Sequence, residues 1–184
     1  MPLTSKEAAE SLSEAESAHR RSAQVYYYHR SSPHLIMWGA IWVFGYSATY
    51  LFPNYSNWLW AALMLGGCSG GYFIGRASAK GGNGPRAWRM FVIMLVAIFF
   101  VLSTYAIMWP VHGRQLAAYP VLLTGAVYTA MGLWVGLRYV VTGMLVMALA
   151  LGGYFFINDL TILLWMAFVG GGSMILAGFW FRTV

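Results

Sequence analysis

The sequence predicts an all-α, polytopic membrane protein: six transmembrane helices preceded by a cytoplasmic helical tail. Three observations lead there. Of 184 residues, 60% are hydrophobic and only 9% charged, where an ordinary soluble domain is roughly a quarter charged. The apolar residues gather into six segments without interior charge, each near the ~20 residues that a bilayer-crossing helix needs. The basic residues sort to one side. With the N-terminus inside, Lys6, Arg20, Arg21, Arg30, Arg76, Lys80, Arg86, Arg89, Arg138 and Arg182 are cytoplasmic and only Arg114 lies opposite, the bias expected of a multi-pass inner-membrane protein with both termini in the cytoplasm. The net charge of +6 then reflects topology. A nucleic-acid partner, which would call for a basic face on a water-exposed fold, is not expected. A single cysteine, Cys68, excludes an internal disulfide and a cysteine-built metal site.

Residues 1–33 form the tail and residues 34–184 the six-helix domain. In the tail, Thr4 and Glu7 frame a capping box. Glu7, Glu10, Glu14 and Glu16 come before Arg20 and Arg21, an order that complements the helix macrodipole. Ala8, Leu12, Ala15, His19, Ser22 and Tyr26 fall on one weakly apolar stripe, which makes this an amphipathic helix. Tyr26, Tyr27 and Tyr28, with Arg30, read as anchors in the headgroup layer, and Pro33 should break the helix there. The spans follow at 34–52, 58–75, 90–109, 116–137, 139–157 and 160–181. Residues 53–57, 110–115 and 158–159 connect them on one side. On the other lie the basic loop 76–89 and a minimal turn at Arg138. Such short links make consecutive helices antiparallel neighbours.

Shifting the chain by 104 residues superposes the first helical hairpin on the last: Gly39 on Gly143, Tyr50 on Tyr154, Phe52 on Phe156, Gly67 on Gly171 and Ser69 on Ser173. This suggests three tandem hairpins. A rival division into two inverted halves rests on the similarity of residues 69–74 to residues 151–157.

Small residues are the most informative feature of the spans. Gly67, Gly71 and Gly75 lie four apart in the second span, Gly132 and Gly136 form a GxxxG in the fourth, and Gly170 and Ser173 continue the theme in the sixth. Such stripes let backbones approach where lipid gives no hydrophobic drive for association, so these three spans should form the packed centre. The third, bulky and without glycine, should lie outside. No Asp, Glu, Lys, Arg, His, Asn or Gln sits deep in any span. Ion-coupled carriers and membrane enzymes normally place such groups there. No catalytic residue, cofactor or metal ligand is expected, and the four histidines, outside the span interiors, argue against a buried haem. Asp159 reads as a helix cap. If a pore exists, Ser69, Thr129 and Ser173 are its candidate lining.

In size, N-in plan and glycine-studded hairpins the chain resembles the small six-helix inner-membrane proteins common in bacteria, a resemblance that implies no activity. The reading that follows is a non-enzymatic protein with a regulatory, stress-related or assembly role. Its partners would be the lipid bilayer and, through residues 1–33, a cytoplasmic protein or another copy of the chain. The alternative is a channel or carrier for a small neutral or apolar molecule.

Overall fold

The computed structural model describes residues 5–77, 85–158 and 160–183. All regular structure among them is helical: α1 (Ser5–Leu51), α2 (Ser56–Ala77), α3 (Pro85–Ile107), α4 (Gly113–Val135), α5 (Leu137–Phe156), α6 (Thr161–Met166) and α7 (Ser173–Trp180). A π-helical segment, Ala167–Gly172, joins α6 to α7, and a 3-10 turn, Phe181–Thr183, ends them. Together they make one continuous C-terminal helix. Three helices are long and apolar enough to cross a membrane: Gly113–Val135, Leu137–Phe156 and Thr161–Thr183. The capping box at Thr4, part of the basic loop (residues 78–84) and the Asp159 cap lie outside the described residues.

The break expected near Pro33 is absent. α1 runs through it for 47 residues, about 70 Å at 1.5 Å per residue. A proline costs a helix one N–H and crowds the carbonyl four residues earlier, but neighbouring helices and hydroxyl side chains can compensate inside a bundle. Here α1 is held through the proline by its packing on the C-terminal helix, where the Ser32 hydroxyl donates across to the Gly178 carbonyl at 2.7 Å. α4 tolerates Pro120 by a different route. The Leu116 carbonyl, left without its helical donor by the proline, accepts from the Tyr105 hydroxyl at 3.2 Å, and the Ala117 carbonyl accepts from the Tyr46 hydroxyl at 2.8 Å.

Two tight helix pairs organise the core. α1 lies along the C-terminal helix, and α4 lies along α5. Tyr28, Ser32, Leu35, Gly39, Trp42 and Tyr46 form the buried face of α1, a spacing of alternating threes and fours that keeps one stripe on its neighbour. Gly39 meets Gly171 backbone to backbone: a Cβ on either would fall 2.6 Å from the other's carbonyl oxygen. On the other pair, a Cβ at Gly125 would fall 2.9 Å from the Gly143 carbonyl, and one at Gly132 would fall 2.5 Å from the Val140 nitrogen. α2 leans on α1 from outside, with Gly67 under Trp38 and Gly45 under Trp60, and α3 touches α2. The expected centre of second, fourth and sixth spans is therefore corrected. α1 and α5 supply the backbone partners, and α2 packs at the periphery. Leu95, Val96, Phe99, Phe100 and Leu102 of α3 are exposed.

Candidate functional site

The most elaborate junction lies where α1, the start of α5 and the end of the C-terminal helix converge. α4 and α5 are joined by a single residue, Gly136, with φ of +147°, a backbone region that penalises any L side chain. This turn sets Arg138 and Tyr139 in the first turn of α5. Tyr28 stacks on Tyr139 with ring centroids 5.8 Å apart, and Phe181 tilts against both at 4.9 and 4.6 Å. Phe181 is wholly buried. Tyr128 of α4 closes the cluster edge-on at 5.9 Å from Tyr139.

A polar belt surrounds these rings. Arg138 Nη1 donates to the Trp180 carbonyl at 2.5 Å and to Thr183 Oγ1 at 3.1 Å. Its guanidinium carbon lies 5.0 Å from the Trp180 ring and 5.8 Å from the Tyr28 ring, within reach of cation–π attraction. Arg182 Nε donates to Ser32 Oγ at 2.8 Å, and that hydroxyl in turn donates to Gly178. A guanidinium beside the carbonyl end of a helix is also favoured by the macrodipole. α1 is thereby fastened to the rest of the molecule at Tyr28 and Ser32.

Before Tyr28, α1 continues as an arm. Lys6, Glu10, Leu12, Glu14, Glu16, His19, Arg21 and Gln24 are exposed. The polar contacts described along the arm stay within α1: Lys6 with Glu10 at 4.0 Å, and Arg21 Nη2 donating to Ser17 Oγ at 3.3 Å. Arg30 donates to the Tyr26 hydroxyl at 2.7 Å, and Tyr26 and Tyr27 are exposed. Tyr28 departs from its expected role as a headgroup anchor. Its ring, 5% exposed, is sealed among helices instead.

At the opposite end, His112, Gly113, Arg114, Gln115, Tyr154 and Phe155 line an open depression of about 440 Å³. Arg114 Nη2 donates to the Tyr154 and Ile157 carbonyls, the latter at 2.8 Å, so this cation ties the start of α4 to the end of α5. His112 and Gln115 form a reciprocal cap at the α4 N-terminus, the His112 amide donating to Gln115 Oε1 at 3.0 Å.

The remaining sequence-selected residues divide. Gly67, Gly132 and Gly170 sit in tight contacts, Gly170 against Trp42 and Val121. Gly71 differs from expectation. The nearest atoms to a Cβ there are His34 Nδ1 and the Met37 methyl at 3.8 Å, an ordinary separation, and at Gly75 the space is open. The reason is register: the stripe of α2 that meets α1 runs through Gly67 and Gly70, where a Cβ would fall 2.8 Å from Met37 Sδ, so Gly71 and Gly75 lie off it. Gly136 makes a turn, not a packing stripe. Ser173 Oγ donates to the Val169 and Gly170 carbonyls of its own helix. Ser69 donates to Leu65 and Thr129 to Gly125 in the same way. The three candidate pore hydroxyls thus sit on separate helices, and Ser69 is exposed. Among described residues no group of three or more His, Cys, Asp or Glu could hold a metal.

Sequence reasoning passed over Ser32, Gly178, Tyr139 and Phe181, and matched Gly39 only to Gly143. The signal was present: residues 28, 35 and 42, and residues 32, 39 and 46, recur at intervals of seven on one helix face. Cutting the pattern at Pro33 concealed it. No protein-family model, curated protein or solved structure matches this chain.

Proposed function

We propose that the chain is a non-enzymatic, six-span protein of the cell inner membrane, with both termini cytoplasmic, that presents its N-terminal helix to a cytoplasmic partner or to a second copy. One observation carries this reading: the arm is a rigid continuation of a core helix. Residues 5–27 of α1 extend about 35 Å beyond Tyr28, largely exposed, while the same helix is fixed to the C-terminal helix from Tyr28 through Tyr46. An arm joined this way holds its direction relative to the membrane body, which suits docking and regulation. The six-span plan is supported by the packing of α1 and α2 on the apolar bundle and by the ten-to-one split of basic residues. The carrier alternative is weakened by the Ser69, Thr129 and Ser173 hydroxyls, each returned to its own helix.

Deleting residues 2–24 tests the reading, because it spares Tyr28 and Ser32. The truncated chain should insert, with a cysteine introduced by Val184→Cys in a Cys68→Ser background shielded from an impermeant thiol reagent until the membrane is permeabilised. Crosslinking in native membranes should lose the adducts of the full-length chain. Identical adduct patterns from the two chains would reduce the arm to an anchor.

A further inference from the structure

We propose that the last turn of the C-terminal helix, flanked by Arg138 and Arg182, binds the phosphate of an anionic phospholipid headgroup in the cytoplasmic leaflet. The first argument is charge. Between Glu16 and the end of the chain the only carboxylate side chain is Asp159, which in the proposed topology lies on the other side of the membrane. The two guanidinium groups instead use backbone carbonyls and hydroxyls, which fix their positions without neutralising them. The second argument is unused capacity. A guanidinium has five N–H donors in a planar fork. The bonds described occupy Nη1 of Arg138 and Nε of Arg182, leaving donors of the kind that pair bidentately with phosphate oxygens.

The third argument concerns the neighbourhood. Trp180 is 41% exposed beneath the Arg138 guanidinium, and Phe179, 53% exposed, lies 5.9 Å from that of Arg182. Leu137 is 74% exposed beside Arg138. Cations bordered by outward aromatic and aliphatic surface match a ligand with a phosphate at one end and acyl chains at the other. Basic groups at the cytoplasmic ends of helices recognise lipid headgroups by this combination. A free phosphate would use the cations and leave the rings exposed.

The inference rests on the membrane reading above, and carbonate extraction separates the two: release of the chain into the soluble fraction defeats that reading, whereas retention leaves it intact whatever the lipid result. The decisive measurement is native mass spectrometry of the full chain, released from detergent micelles supplemented with equal amounts of phosphatidylglycerol and phosphatidylcholine. The expected result is preferential retention of phosphatidylglycerol, together with a rise in apparent Tm that equimolar inorganic phosphate does not reproduce. Arg138→Gln combined with Arg182→Gln should abolish the preference, and Arg21→Gln, in the arm, should keep it. Equal retention of the two lipids by the unaltered chain overturns the proposal without recourse to any variant. So does an equal Tm rise with inorganic phosphate, which would make this an anion site without lipid. Full preference in the paired Arg→Lys variant would reduce the effect to diffuse attraction and also overturn it.

Discussion

α1 has two neighbours and meets them differently. Against the C-terminal helix both surfaces are small: Gly39 faces Gly171, and Gly178 faces Ser32, so main chains touch and a hydroxyl crosses between them. Against α2 only one surface is small at each point. Gly67 receives Trp38 and Ile41, and Gly45 receives the Trp60 ring. That interface is a ring on a groove, closed by the Trp60 indole donating to Thr49 Oγ1 at 3.0 Å. In lipid the apolar surfaces are solvated equally well apart or together, so association depends on close packing and on hydrogen bonds between helices. Along α1, glycines on one helix alone do not bring main chains together. They touch where two small surfaces meet in register.

The comparison breaks most readily at Gly171. A leucine there must displace the Gly39 carbonyl and Val43, both backbone-fixed, and overpacking against main chain costs about 3 kcal/mol. Folded yield of Gly171→Leu, read by fluorescence-detected size exclusion, should collapse; a normal monodisperse peak would show that the two helices are not held at this distance. The hydroxyl bridge is a smaller effect. Ser32→Ala removes a buried donor to Gly178 and the acceptor for Arg182, worth roughly 1–2 kcal/mol between membrane helices. Its apparent Tm should fall while that of Ser69→Ala, whose exposed hydroxyl returns to Leu65 of its own helix, stays within error. Equal shifts in both would place the fastening elsewhere. The smallest effect belongs to Gly75, where nothing lies within 4 Å of an added Cβ. Gly75→Leu should change stability by no more than about 0.5 kcal/mol. A large loss there would mean that α2 packs tightly along its whole length.

Helical segments were legible because apolar runs of membrane-crossing length are continuous and prolines mark their links, Pro53 and Pro110; the sharpest turn was not, since Gly136 fits a GxxxG stripe and Arg138 looks like the link. Pairing was less legible. A stripe such as Gly67, Gly71 and Gly75 reports that a helix could be approached, and says nothing of which residue approaches. The Gly39–Gly171 pair joins residues that repeat matching sets in different correspondences, Gly39 with Gly143 and Gly171 with Gly67. Tyr28 illustrates the same limit. Three successive tyrosines point to three directions around a helix, and composition alone does not tell which faces Tyr139. Pro33 misled for a physical reason: its local cost is real, but the contacts of Ser32, Leu35 and Gly39 with a helix more than a hundred residues later outweigh it.

The π-helical segment Ala167–Gly172 has a geometric consequence. A widened turn holds more residues than an α turn, so it offsets the angular phase of everything after it. Each residue of an α-helix advances the side chains by about 100°. Were the same six residues wound as α, Phe181 would rotate by about 100° out of its seat between Tyr28 and Tyr139. Arg182 would turn away from Ser32 by the same angle. No side-chain substitution in that last turn restores such a phase; only the loss of one residue does. The end of the chain is therefore aimed by a six-residue stretch on the far side of α7, and what Arg138 and Arg182 jointly frame depends on counting residues there.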